Sequence, residues 1–132
     1  MFDVKYDSGV PIYLQIIHLI RQKIVSGEWA PGSRVPGVRD LAIEFGVNPN
    51  TMQKALSELE REGLLYSERT AGRFITENTG IIDAARERLA GQVLAEFIKQ
   101  MAQMGFTRER TIKLVESAFE NHAGLSKREE NS

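Results

Sequence analysis

The first half of the chain opens with an apolar pattern of helical period. After Pro11, isoleucine recurs at every fourth position: Ile12, Ile16, Ile20 and Ile24. This spacing places the four side chains on one face of an amphipathic helix. Gly27 follows, and glycine is common just beyond a helix C-terminus. We therefore expect a first helix between Pro11 and Gly27.

Two shorter helical patterns follow, separated by a glycine-containing turn. The first begins after Gly37 and ends at Gly46, with an apolar face made of Val38, Leu41, Ala42 and Phe45. The second begins at Pro49, with Asn48 as its N-cap, and ends at Gly63. Its apolar face consists of Met52, Ala55, Leu56 and Leu59. Two short helices joined by a tight turn and packed on an earlier helix predict a helix-turn-helix.

Two runs typical of β-strands come directly after the third helix. They comprise residues 64–67 and 74–76, and the segment 69–73 between them has the length and the glycine of a hairpin loop. A hairpin in this place is the wing of a winged helix-turn-helix. The predicted fold class is mainly α with a small β-hairpin, and the predicted DNA-binding domain spans residues 1–78.

The rest of the chain predicts two helices without a core of their own. The first, from about Gly80 to Met104, carries an apolar stripe made of Ile82, Ala85, Leu89, Val93, Phe97 and Met101. The second begins after Thr107 and adds Ile112, Val115 and Phe119. A pair of helices is too small to bury such stripes by itself, so a second copy of the chain is the expected cover. These side chains are the predicted dimer interface, in a helical dimerisation segment over residues 79–123 that a disordered tail over 124–132 follows.

Composition limits the possible classes of function. Of 132 residues, 42% are apolar and 27% are charged, which is typical of a globular protein that forms its own core. The chain has no cysteine, and His18 and His122 lie in different segments without neighbouring ligands, so no metal or other cofactor is expected. The sequence shows no pattern of a transmembrane helix or signal peptide, which favours a cytoplasmic protein. No nucleophile, base and orienting group can be assembled, so an enzyme is not expected.

The distribution of charge indicates a nucleic-acid partner, although the net charge of −1 does not. The third predicted helix begins with polar and basic residues, namely Asn48, Asn50, Thr51, Gln53 and Lys54. Its acids lie toward the other end, at Glu58, Glu60 and Glu62. Recognition helices place their N-terminal residues on base edges and phosphates, from which an acidic end must stay away. This polarity predicts that the helix binds DNA.

Within this helix, the polar residues allow more than one interpretation. Asn50 and Gln53 are the predicted base-reading residues, because both amides can bond adenine and neither has an evident partner within the helix. Asn48 is better explained as the helix cap. Lys54 is either a DNA contact or the partner of Glu58.

Two arginines that precede the third helix are candidate phosphate contacts. Arg39 lies in the first turn of the second helix and has no acid at pairing distance toward its C-terminus. Arg34 lies in the preceding loop. For both, the alternative is a solvated surface arginine.

The same region resembles a known protein family. Three strings carry the resemblance, in register and without gaps: residues 27–42 (GEWAPGSRVPGVRDLA), 46–51 (GVNPNT) and 59–64 (LEREGL). They are similar to the GntR family of bacterial regulators, and residues 11–16 (PIYLQI) resemble its YtrA subfamily. The resemblance implies a winged-helix domain that binds operator DNA, with Arg39 on the DNA backbone. It also implies a C-terminal part that, in YtrA-like members, is only a pair of helices.

The predicted wing departs from the pattern of that family. Where the family has two glycines with a basic residue between them, this chain has Thr70 and Ala71 before Gly72. The predicted wing contacts are therefore Gly72 and the two flanking arginines, Arg69 and Arg73, which can restore a phosphate contact.

Together these features predict a sequence-specific transcriptional regulator that binds double-stranded DNA. The expectation is a repressor that binds a pseudo-palindromic operator as a homodimer. Two alternatives stay open at this point. One is a regulator that responds to a small molecule bound between the DNA-binding and C-terminal segments. The other is a winged helix that serves as a protein-interaction module, which the weak net charge favours.

Overall fold

The structure is a computed structural model that describes residues 5–122. The predicted tail over 124–132 lies outside the described residues, as does the last residue of the predicted dimerisation segment. The chain divides into two compact units with the boundary after Arg88. The winged-helix unit therefore extends further along the chain than its predicted end at residue 78.

The first unit contains three helices and an antiparallel hairpin before the chain enters a fourth helix. The elements are α1 (Ile12–Val25), α2 (Val38–Phe45), α3 (Pro49–Arg61), β1 (Leu65–Glu68) and β2 (Gly72–Ile75). In the hairpin, Leu65 lies opposite Ile75 and Glu68 lies opposite Gly72. The prediction of a mainly α fold with a winged helix-turn-helix is confirmed.

The core of this unit forms where α1 and α2 pack against α3. Its largest fully buried side chains come from all three helices and from the hairpin: Ile16, Ile20, Ile24, Leu41, Met52, Leu56, Leu59, Leu64 and Ile75. Burial of an aliphatic side chain of this size stabilises the fold by about 1.5–3 kcal/mol. Three of these residues belong to α3. Their packing fixes the position of α3, and therefore also the position of its exposed face.

The turn between α2 and α3 is held by hydrogen bonds at both ends. Gly46 adopts the left-handed conformation, with φ of 67°, and ends α2. The backbone N–H of Val47 donates to Ala42 O at 2.9 Å. At the start of α3, the side chain of Asn48 accepts a hydrogen bond from the backbone N–H of Asn50 at 2.8 Å. The predicted N-cap is therefore confirmed.

A third strand-like segment, residues 32–35, pairs with β2 and was not predicted. The backbone N–H of Val35 donates to Arg73 O at 2.9 Å, and that of Ile75 donates to Ser33 O at 2.8 Å. Arg34 forms an antiparallel bridge with Phe74. This pairing fixes the loop before α2 to the wing, by which we mean β1, β2 and the turn between them.

The two predicted C-terminal helices are confirmed as α4 (Thr79–Gln103) and α5 (Arg108–Asn121). Thr107 caps α5 by accepting a hydrogen bond from the backbone N–H of Arg110 at 3.2 Å.

The start of α4 corrects part of the predicted dimer interface. Ile82 and Ala85 are only 3% and 1% exposed within the single chain. In the same stretch, Arg86 Nε donates to Val25 O of α1 at 2.9 Å. These residues thus belong to the winged-helix unit and are not available to a partner. The helical period is the same on both sides of Arg88, so the sequence pattern did not distinguish a stripe covered within the chain from one left exposed.

Candidate nucleic-acid interface

The predicted DNA-reading residues lie together on the exposed face of α3. Asn50, Gln53 and Lys54 are exposed, and Thr51 is half-buried. Their helical neighbours Met52 and Ala55 are completely buried against the core. The backbone of α3 therefore directs these polar side chains away from the protein, where a major groove can accommodate such a helix.

The contacts of these side chains differ from those expected. Gln53 Nε2 donates to Ser57 Oγ at 3.2 Å, so the prediction that Gln53 has no partner within the helix is wrong. This hydrogen bond joins two exposed neutral groups and is worth about 0.5–1.5 kcal/mol, which a base edge can replace. Lys54 does not pair with Glu58. Its Nζ lies 3.8 Å from the centre of the Tyr13 ring on α1.

The acids toward the C-terminal end of α3 are each paired with an arginine. Glu58 pairs with Arg61 at 2.7 Å, Glu60 pairs with Arg73 at 2.6 Å, and the C-cap residue Glu62 pairs with Arg21 at 2.7 Å. The helix therefore presents uncharged amides at its amino end and neutralised carboxylates at the other. Sequence reasoning found the acids but not their partners, because two of the three arginines are distant in sequence.

The pairing of Glu60 also changes the role of Arg73. The Arg73 side chain lies mostly buried against Glu60, so it is an ion-pair partner within the chain, and its contact with DNA stays a prediction. Ser67 Oγ donates to the same carboxylate oxygen at 2.5 Å. Burial of the Glu60 carboxyl opposes its ionisation, but these two hydrogen bonds and the charge of Arg73 outweigh it and hold the pKa of Glu60 below its ordinary value. The cluster joins α3 to both strands of the wing.

Three exposed arginines around the helix-turn-helix remain unpaired. They are Arg34 before α2, Arg39 in its first turn, and Arg69 in the turn of the wing. Within residues 5–122, none of their guanidinium groups makes an ion pair or a hydrogen bond. Each is free to bind an anion. Gly72, the remaining predicted wing contact, is exposed and has φ of 101°.

The remaining predicted dimer residues lie in the second unit and differ in exposure. Val93 is 66% exposed, and Ile112 and Phe119 are also exposed. Leu89, Phe97, Met101 and Val115 are half-buried. Leu94 and Ile98, which the predicted stripe omitted, are more than half exposed. They lie one position beyond Val93 and Phe97, so a wider helical stripe would have included them.

The described residues offer no sign of metal or membrane chemistry. Among residues 5–122, no group of three histidine, aspartate or glutamate side chains is arranged to hold a metal ion. None of the helices in this range is both long and apolar enough to cross a membrane.

A helix-turn-helix with an amide-bearing recognition face and a wing defines a winged-helix transcriptional regulator, and comparisons with known proteins agree. Residues 12–75 match the model of the bacterial regulatory proteins of the gntR family. The uncharacterized HTH-type transcriptional regulator YhcF of Bacillus subtilis is 40% identical over 118 residues, which cover 89% of this chain and 98% of YhcF. The HTH-type transcriptional repressor YtrA of the same organism is 42% identical over 78 residues, 59% of this chain and 60% of YtrA.

Solved structures lead to the same family. A GntR family transcriptional regulator from Listeria monocytogenes has a TM-score of 0.79 and 36% identity, and the match covers 85% of this chain and 98% of that one. This chain belongs to the GntR family of bacterial transcriptional regulators, and the family resemblance predicted from the sequence is confirmed.

Proposed function

We propose that this protein represses transcription by binding a pseudo-palindromic operator as a homodimer. The observation that carries the proposal is the charge arrangement of α3. Its exposed face presents Asn50 and Gln53, whereas Glu58, Glu60 and Glu62 are each neutralised by an arginine of the same chain. DNA that approaches this face meets hydrogen-bonding amides and no unpaired carboxylate of the helix.

We expect two kinds of DNA contact at this face, one to phosphates and one to base edges. Arg39 supplies a cation for a phosphate, because its guanidinium is exposed and unpaired in the first turn of α2. Asn50 and Gln53 read base edges, since a side-chain amide can bond the N6 and N7 positions of adenine at once. Thr51 and Lys54 flank them on α3 and contribute to the same contact surface. Phosphate contacts set orientation, and base contacts set sequence preference.

Dimerisation is attributed to the second unit. There α4 and α5 border a hollow of about 410 Å³, lined by Ile98, Ala102, Phe106, Arg108, Thr111 and Ile112. Val93 and Leu94 expose further apolar surface on α4. Apolar patches of this kind mark interaction sites, and two helices alone form too small a core to stay folded with their apolar faces in water. A second copy of the same unit covers the patch and gives the protein two-fold symmetry.

Repression is the regulatory outcome that fits this architecture. The similar protein YtrA is named a repressor. A small dimer that occupies promoter DNA excludes polymerase without needing an activating surface. Such a protein acts where operator DNA is found, in the bacterial cytoplasm.

Selection of bound sequences from random duplex DNA tests the proposal. We expect an inverted repeat whose half-sites are related by about one helical turn, roughly 34 to 36 Å. The matched control is the double variant Asn50→Ala/Gln53→Ala, which should bind without enriching that repeat. Failure of the natural chain to enrich any sequence, with no salt-dependent affinity for duplex DNA, would identify a protein-interaction module instead.

A further inference from the structure

A cation from outside the hairpin, Arg34, lies beside the wing. Because residues 32–35 pair with β2, they act as a third strand at the edge of the wing. Val35 is buried, and side chains alternate between the two faces of a strand, so the neighbouring Arg34 points to the opposite, exposed face. Its cross-strand neighbour is Phe74, and its diagonal neighbour on that face is Gly72.

The guanidinium of Arg34 lies directly against Gly72. A Cβ atom added at Gly72 would lie 3.3 Å from Nε and 3.4 Å from Nη2 of Arg34, which is tighter than ordinary contact. Gly72 also has φ of 101°, a conformation that strains any residue with a side chain. The backbone conformation thus favours glycine at this position, and a side chain there would shift the guanidinium of Arg34 by a few tenths of an ångström.

The charge of Arg34 has no partner among residues 5–122. Glu68 lies opposite Gly72 across the hairpin, yet it forms no ion pair with Arg34. The adjacent Arg73, by contrast, is bound by Glu60. The backbone of Arg34 is therefore fixed by pairing with β2, and its guanidinium lies against Gly72 without an acidic partner. Such a group can bind a phosphate or the negative potential of a narrow minor groove.

We infer that Arg34 is a DNA-binding cation beside the wing and that Gly72 is a positioning residue that holds it. The hairpin then needs no basic residue at Thr70 or Ala71, because the edge strand supplies the charge from before α2. The inference rests on the proposed function, since it assigns a DNA contact to a DNA-binding protein.

Affinity measurements on four chains test the coupling between the two residues. Arg34→Ala should weaken operator binding about tenfold and reduce the salt-dependence slope by about 0.9 per half-site. Gly72→Ala should cause a loss of the same order, because its Cβ displaces the guanidinium. In the double variant Arg34→Ala/Gly72→Ala, the Gly72 change should add little. A full additional loss in the double variant would show that Gly72 acts without Arg34 and would overturn the positioning role.

A second experiment locates Arg34 on the DNA and does not depend on the Gly72 variant. The chain has no cysteine, so Arg34→Cys carries the only thiol, and an iron–EDTA reagent attached to that thiol cleaves nearby DNA. We expect cleavage at the minor groove that flanks each half-site. The control Lys113→Cys on α5 should give a different pattern.

The outcomes separate this inference from the proposed function. If Arg34→Ala leaves affinity and salt slope unchanged and the tethered reagent does not cleave beside the half-site, Arg34 does not bind DNA and the inference fails. The proposed function still stands in that case if Gln53→Ala weakens operator binding. If the natural chain binds no duplex DNA, the proposed function itself fails.

Discussion

Arginines of the winged-helix unit fall into two groups that their surroundings distinguish. Acids of α3 or its C-cap bind Arg21, Arg61 and Arg73. No acidic partner is found among the described residues for Arg34, Arg39 and Arg69. A cation that is already neutralised within the chain adds little to the attraction for phosphate. The salt dependence of DNA binding should therefore come from the second group.

The first prediction separates phosphate contact from base contact. Arg39→Ala should weaken binding to all duplexes similarly and lower the salt slope by about 0.9 per half-site, because it releases fewer counterions. Gln53→Ala should cost about 1–3 kcal/mol on the operator alone and leave the slope unchanged, because an amide on a base edge releases none. Titrations on operator and scrambled DNA at several salt concentrations measure both.

Lys113→Ala is the control for this prediction, since it removes an exposed cation from α5. It should change neither quantity. Equal weakening of both duplexes by Gln53→Ala, with an altered slope, would show that α3 is not the base-reading helix.

The second prediction concerns the ring beneath Lys54. At an exposed site, a cation–π contact stabilises a lysine side chain by about 0.5–1 kcal/mol. A side chain that is ordered before binding also loses less conformational entropy when it binds DNA. Tyr13→Leu should therefore weaken operator binding about two- to fivefold, whereas Tyr13→Phe should retain it. The same change in a Lys54→Ala background should have no further effect. A loss of equal size in that background would mean that Tyr13 acts by another route.

Among the elements, α3 is tied to its surroundings by ion pairs near its C-terminal end. Arg21 links the C-cap of α3 to α1, and Glu60 links α3 to both wing strands through Ser67 and Arg73. Nearer the amino end, Asn48 caps the helix, Gln53 bonds Ser57 and Lys54 lies over the Tyr13 ring. The ion pairs that support α3 thus lie away from the side chains that we propose to read bases.

The third prediction is a pH dependence of this support. The pKa of Glu60 is lower in the folded protein than in the unfolded chain, so its contribution is present above the ordinary glutamate range and is lost as the pH falls through the folded pKa. Glu60→Gln should lower the free energy of unfolding by about 0.5–1 kcal/mol at neutral pH, a modest value because the side chain is 30% exposed. The difference should diminish as the pH is lowered from neutral into the acidic range.

Urea unfolding of both chains across this pH range measures the effect. Glu44→Gln, on the exposed side of α2, is the matched control. A deficit in Glu60→Gln that persists in acid would point to lost packing in place of lost charge.

For the whole molecule, the second unit connects stability to assembly. Its helices leave apolar side chains exposed in the single chain, so a dimer should melt at a temperature that rises with protein concentration. Because each copy carries one recognition helix, assembly also sets how many half-sites are read at once.

The fourth prediction tests the dimer surface. Ile98 is 58% exposed and lines the hollow between α4 and α5. Ile98→Glu should place an unpaired charge in the proposed contact and release monomers at micromolar concentration. Gln92→Glu adds the same charge on the polar side of α4 and should remain dimeric. Sedimentation distinguishes the two, and a dimeric Ile98→Glu protein would place the interface elsewhere.

The sequence by itself determined the elements and the family. Helix bounds, the cap at Asn48 and the left-handed Gly46 depend on residues within about four positions of one another, and such interactions are visible in the sequence. The exposed residues of α3 followed from the same period, because its buried and exposed faces alternate with the helix turn.

Only the tertiary structure decided which partner each side chain has. Ile82 and Val93 belong to one apolar stripe, but the first is buried in the winged-helix unit and the second is exposed. Arg73 forms an ion pair with Glu60. Arg34 lies beside the wing because its segment pairs with β2, and no local pattern indicated that pairing. The physical reason is that covering an apolar face or neutralising a charge depends on the path of the whole chain, which brings together residues that are distant in sequence.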